Sequence, residues 1–189
     1  MRWFLIDRFT EFVSKQYAVA VRSISLSEEA VDEYVPGIPA YPSSLIVEGM
    51  AQTGGILCSQ ISDFEQRMVL AKIMKLKMNA EAVPGDLLTL RAELQTHTAD
   101  GAVIRGVVHR GDFVLAEMQL MFAILNDDRF ENIQLFEPAG FCRMLRVLKL
   151  FDVGVNEDGT PIKIPEFMLE AEQAEFIGGL KQLASGMSS

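Results

Sequence analysis

The sequence sets one ionisable side chain, Glu48, inside its longest apolar run, Leu45 to Ile61, where Gln52 is the other strongly polar residue before Ser59 and Gln60. A carboxylate is costly to bury while charged, so two readings stand side by side. Glu48 is either a helix carboxylate satisfied by hydrogen bonds at a subunit seam, or a group set in an apolar site to take or give a proton. Other groups with chemical potential are few. Cys58 lies on the same run with no base beside it and reads as core packing. Cys142 also sits among apolar residues, and the two cysteines lack the spacing of a zinc or redox motif. His97 and His109 are the two histidines of the chain, each near a turn and expected to face solvent at a strand end. Two histidines rule out a histidine-rich metal site, and no metal or cofactor is expected.

The elements that must position Glu48 follow from the surrounding pattern. Gln16 to Ser25 alternates small and β-branched residues and predicts a strand, with Arg8 to Lys15 as a short lead-in. From Leu26 to Ser44 the pattern breaks. Ser27-Glu28-Glu29-Ala30 offers at most the start of a helical turn, and Pro36, Gly37, Pro39 and Pro42 impose a shaped loop. Ser43-Ser44 is a candidate N-cap pair for a helix over 45–61 that is buried nearly all round. Its carboxylate, its three glycines and the strands that flank it favour a central helix over a membrane span.

Segments 68–79, 86–98, 103–109 and 113–125 alternate or are apolar, and Val83-Pro84-Gly85-Asp86, Ala99-Asp100-Gly101 and Arg110-Gly111-Asp112 separate them. The plan is α+β: over residues 1–126, a curved antiparallel sheet wraps one long helix. Asn126-Asp127-Asp128-Arg129 is a polar break. Residues 127–189 then read as an appendage: an amphipathic helix over 138–151, a hairpin over 153–164 and a helix over 165–183, with a frayed end. Phe141, Leu145 and Leu148, with Phe167, Phe176 and Leu180, give these helices apolar faces. Both are therefore expected to pack on the body, as extra dimer surface or as a lid.

The chain has 189 residues, 49% hydrophobic and 23% charged, enough to bury a core without disulfides or metal. Its formal charge of −9 repels phosphate backbones and anionic lipid, which argues against nucleic acid or a membrane surface as partner. The start is apolar for only a few residues before Asp7 and Arg8, too short for a signal-peptide core, and the expectation is a cytoplasmic protein.

From Tyr34 the sequence runs Tyr-Val-Pro-Gly-Ile-Pro-Ala-Tyr-Pro-Ser-Ser-Leu-Ile-Val-Glu-Gly-Met-Ala-Gln to Gln52. This text resembles the FabZ/FabA-type 3-hydroxyacyl-(acyl carrier protein) dehydratases, whose signature is His-Phe-Pro-Gly-x-Pro-x-x-Pro-Gly, four residues, Glu, and then Ala-Met-Ala-Gln. Pro36, Gly37, Pro39, Pro42, Glu48, Met50, Ala51 and Gln52 match it without a gap. Phe4-Leu5-Ile6-Asp7-Arg8, Val83-Pro84-Gly85-Asp86 and Ala116 to Ile124 resemble the family's opening strand, later turn and last strand, so the likeness spans roughly residues 3 to 125.

The resemblance implies a hot-dog fold and a homodimer or higher homo-oligomer. It also implies an acyl thioester of acyl carrier protein or coenzyme A as partner, and fatty-acid metabolism as setting. It assigns catalysis to Glu48 and the position of Tyr34, shared between subunits, and substrate contacts to Gly37, Pro42, Ser43 and Gln52. Two positions depart from the signature: its His is Tyr34, and its last Gly is Ser43. Dehydration needs a base for the α-proton and an acid for the leaving hydroxyl, and tyrosine, with an unperturbed pKa of about 10, is a poor base at neutral pH. The resemblance therefore implies a dehydratase-like lyase, and two alternatives stay open: thioester hydrolysis through Glu48, or acyl-thioester binding without catalysis.

Lys72, Lys75 and Lys77, with Arg2 and Arg8, are either a solvated face or a docking patch for an acidic carrier or for phosphates. Met50, Met68, Met74, Met78, Met118 and Met121 read most simply as core, and would also suit walls around an acyl chain.

Overall fold

The computed structural model describes residues 4–34, 37–66, 68–125 and 137–186, the side chains of 32–34 and 179–186 excepted. Among these residues seven strands form one sheet in the order β3-β6-β5-β4-β2-β1-β7. The strands are β1 (Arg8–Val13), β2 (Tyr17–Ser23), β3 (Met68–Met78), β4 (Leu87–Thr98), β5 (Gly101–Arg110), β6 (Phe113–Ile124) and β7 (Gly154–Val155). All neighbours are antiparallel except β1 and β7. Period-two alternation is plain on the inner face: Leu88, Leu90 and Ala92 of β4, Ala102, Ile104 and Val108 of β5, and Ala116, Met118, Leu120 and Phe122 of β6 are all buried.

Helix α2 (Ser43–Gln60) crosses this face, chiefly against β4, with β2, β3, β5 and β6 around it. This is the hot-dog arrangement, a sheet curved round one long helix. Small residues permit the close approach. A Cβ on Gly54 would meet Ile104 Cδ1 at 2.2 Å, and one on Gly106 would meet Met50 Cγ and Sδ, both at 2.7 Å. The buried Thr53 hydroxyl donates to the Gly49 carbonyl (2.8 Å), so no polar atom of that residue is stranded in the core.

Several local expectations are corrected. Arg8 to Lys15 is no mere lead-in: β1 occupies most of it. The Glu29–Tyr34 segment forms a short helix, α1, where a loop was expected. Ser43 and Ser44 lie inside α2; its N-cap is Pro42, without a side-chain capping bond. The helix expected over 138–151 is split into α3 (Pro138–Val147) and α4 (Leu150–Val153) by Lys149, whose φ of 59° is left-handed. Met74 and Met121 are well exposed, at 44% and 36%, so the methionines do not all belong to the core.

The segment after residue 136 is tied to the sheet. Phe9 N–H donates to the Leu148 carbonyl (2.8 Å) and Ser14 N–H to Val155 (2.9 Å), while β7 lies parallel to the end of β1. Val155 also bridges Pro161, closing the small hairpin. Cys142, Leu145, Leu148 and Leu150 are buried in the same cluster as α2 and the sheet. Helix α5 (Glu166–Gly186) joins α3 through the Arg143–Glu175 and Arg146–Glu172 ion pairs, and its start packs through Phe167 and Met168, whereas Phe176, expected to pack on the body, is 69% exposed. Expectations that rest on Arg2, Val35, Pro36, residues 126–136, the Leu180 side chain and residues 187–189 lie outside the described residues.

Candidate functional site

Beyond the first turn of α2 the half-buried residues, Glu48, Gln52, Gly55 and Ser59, recur at intervals of three and four and so share one face of the helix. That face opens on a cavity of about 430 Å³. Its walls are otherwise apolar: Phe4, Ala51 and Ile56, then Met68, Val69 and Leu70 at the start of β3, Phe122 of β6, and Phe141, Met144 and Leu148 from the α3 segment. The size suits a small organic ligand, and Glu48 is the one ionisable side chain among the described lining residues.

A short hydrogen-bond chain orients the polar pair. The Leu5 N–H donates to Gln52 Oε1 (3.0 Å), which turns the amide so that Nε2 donates to Glu48 Oε1 (3.3 Å). A backbone N–H can only donate, so this chain fixes the amide's sense. Among the described residues no basic side chain pairs with Glu48, and Oε2 takes no hydrogen bond. The carboxylate is thus held in place but not neutralised by an ion pair from any described residue.

The other residues singled out in the sequence are placed differently. Pro42 is buried at the head of α2, Ser43 is the first residue of that helix, and Gly37 is exposed with φ +80°, a conformation that favours glycine. None of the three lines the cavity. Tyr34 ends α1, and its side chain lies outside the described residues. The loop between α1 and α2 is braced from below. Arg22 pairs with Glu28 (2.6 Å) and Asp7 (3.1 Å), its guanidinium lies 5.9 Å from the Tyr41 ring centroid, and Tyr41 N–H donates to Ala82. Burial pushes the Tyr41 hydroxyl above its ordinary pKa.

Cys58 is buried on another face of α2, and desolvation pushes its thiol up to about 12, consistent with a packing role. His97 is exposed, His109 is half-buried, and neither lines the cavity. No cluster of potential metal ligands occurs among the described residues. Phe4, Phe122, Phe141, Met144 and Leu148 were not marked as site residues from the sequence. The usable signal was the spacing of Glu48, Gln52 and Ser59, which marks the helix face any partner element must cover.

A family model described as FabA-like domain matches residues 2–119. The chain belongs to this family. FabZ 3-hydroxyacyl-(acyl-carrier-protein) dehydratases are among the relatives of this FabA-like chain. The one from Pelotomaculum thermopropionicum is 32% identical over 121 residues, 64% of this chain and 86% of the relative. The one from Koribacter versatilis is 35% identical over 115 residues, 60% and 74% respectively. Among solved structures, the dehydratase heterocomplex ApeI:P from Xenorhabdus doucetiae superposes with a TM-score of 0.55 at 16% identity, covering 65% of this chain and 84% of that one. At that identity the match speaks for the hot-dog fold alone. No described helix is long and apolar enough to cross a membrane.

Proposed function

We propose that this FabA-like protein is a cytoplasmic, homodimeric, dehydratase-like protein that receives acyl or 3-hydroxyacyl thioesters in the cavity beside Glu48. The supporting observation is the Glu48 carboxylate, oriented by Gln52, without an ion-pair partner among the described residues, and facing an apolar cavity of about 430 Å³. In dehydration a base removes the α-proton, the α,β double bond forms, and an acid protonates the β-hydroxyl as it leaves as water. Glu48 is assigned the acid's role. The base position falls to Tyr34 of the other subunit, and Gly37, Pro42, Ser43 and Gln52 are assigned to holding the thioester, with the first turn of α2 presenting backbone N–H groups to its carbonyl.

The dimer reading is supported by β3, an eleven-residue strand paired on one side only among the described residues, with Leu70, Ile73, Met74 and Leu76 between 37% and 45% exposed. A long edge with exposed apolar side chains of this kind invites pairing with a second copy. Exposed Lys72, Lys75 and Lys77 on the same strand offer positive charge to an acidic acyl carrier protein or to the phosphates of coenzyme A.

A second reading is thioester hydrolysis. It is favoured by one observation: Glu48 is the one ionisable group in the described lining, so a water activated by a single carboxylate needs no second proton-transfer group there. Incubating the purified protein with 3-hydroxyacyl, enoyl and saturated thioesters and analysing the products separates the readings. Enoyl product supports dehydration, free thiol supports hydrolysis, and binding without turnover supports an acyl-binding role.

A further inference from the structure

One wall of the Glu48 cavity comes from a part of the chain that the family match does not reach. The match ends at residue 119, and α3 begins at Pro138. Phe141, Met144 and Leu148 nonetheless line the cavity together with the α2 face. On an α-helix, residues three and four apart stand on one side, so 141, 144 and 148 form a single apolar stripe. The stripe is fixed at both ends. Leu148 accepts the Phe9 N–H through its carbonyl, and the Phe141 ring sits edge-on to Phe64 with centroids 5.7 Å apart.

The stripe also has a direction relative to the carboxylate. Phe64 follows the end of α2, and its N–H donates to the Ser59 carbonyl (2.8 Å), so Phe141 stands at the Ser59 end of the cavity. Glu48 stands near the other end of the helix face. Eleven residues of α-helix separate Glu48 from Ser59, roughly 16 Å at 1.5 Å per residue. A thioester whose reacting carbons lie at Glu48 would therefore send its alkyl tail along Gln52 and Gly55 toward Phe141.

Gly55 keeps that path open, since a Cβ there would stand 3.3 Å from the Phe122 ring. We propose that Phe141, Met144 and Leu148 of the α3 segment set the length of acyl chain the cavity accepts, Phe141 closing its far end and Met144 its side. This inference rests on the acyl-thioester reading above and adds to it a specificity determinant that lies outside residues 2–119, the segment the family model matches.

The test is a chain-length profile. Dissociation constants of the full-length protein are measured for butanoyl, octanoyl, dodecanoyl and hexadecanoyl coenzyme A, beside thermal unfolding of each variant. Met144 is half-buried, so it is varied in both directions. Met144→Ala and Phe141→Ala are expected to move the longest well-bound chain upward, with a gain of about tenfold or more for the first chain the natural protein disfavours. Met144→Phe is expected to move it downward by a similar factor while butanoyl binding stays unchanged. A mere brace would weaken all lengths together. Folded variants that share the natural profile overturn the inference and leave the site reading standing. A natural protein that binds none of the four overturns the site reading, and the inference falls with it.

Discussion

The Tyr34→His substitution supplies a group of near-neutral pKa where the family's signature places its base. General-base catalysis is typically worth about 10²–10⁴-fold, so the expected outcome is little enoyl product from the natural protein and a measurable gain in the variant. Adding Glu48→Gln should abolish the gain, as read by ultraviolet absorbance of the enoyl thioester. Brisk dehydration by the natural protein would refute this assignment of Tyr34. Cys58 gives a second test at the scale of one atom. With its thiol pushed up to about 12 by burial, the thiolate fraction at pH 8 is very small, so iodoacetamide should label Cys58 in the native protein far more slowly than after denaturation, as followed by mass spectrometry. The prominence of Glu48 and Gln52 in the sequence has a simple origin: polar residues in an apolar run are costly, so they show. Phe141 and Met144 carry no such mark, because an apolar helix face looks the same whatever it covers.

Helix α2 and the sheet depend on each other at Gly54 and Gly106. Gly106→Ala would drive a methyl group into Met50 and Met118, both buried, and overpacking of this kind costs about 1–3 kcal/mol. Urea unfolding should show a lowered midpoint with the slope unchanged. The bounds of α2 and of β3 to β6 came out of the sequence within about two residues, because long periodic patterns dominate local noise. β1 did not, and the reason lies in its register. A shift between Phe9 and Glu11 interrupts the pairing with β2, so its buried Phe9 and Phe12 fall three apart instead of two and the alternation is lost to the eye. The break between α3 and α4 was equally hidden: lysine has no special preference for the left-handed conformation that Lys149 adopts.

For the molecule as a whole, the exposed edge of β3 predicts a dimer at micromolar concentration. Replacing Ile73 and Met74 together by glutamate sets like charges across the expected seam on both faces of the strand. The variant should then run as a monomer in light scattering, with catalytic or binding activity lost alongside if the site is shared. A natural protein that is already monomeric would refute the shared site. The opposite margin of the sheet is built otherwise. There β1 is not a free strand, since β7 runs beside its end and the Leu148 and Val155 carbonyls take the N–H groups of Phe9 and Ser14. A growing fibril needs two sticky ends on every unit. Among the described residues the sheet offers one, so in the proposed dimer two copies joined through β3 would use up each other's growth point, with the C-terminal segment as the chain terminator that keeps a pairing surface from becoming a polymer.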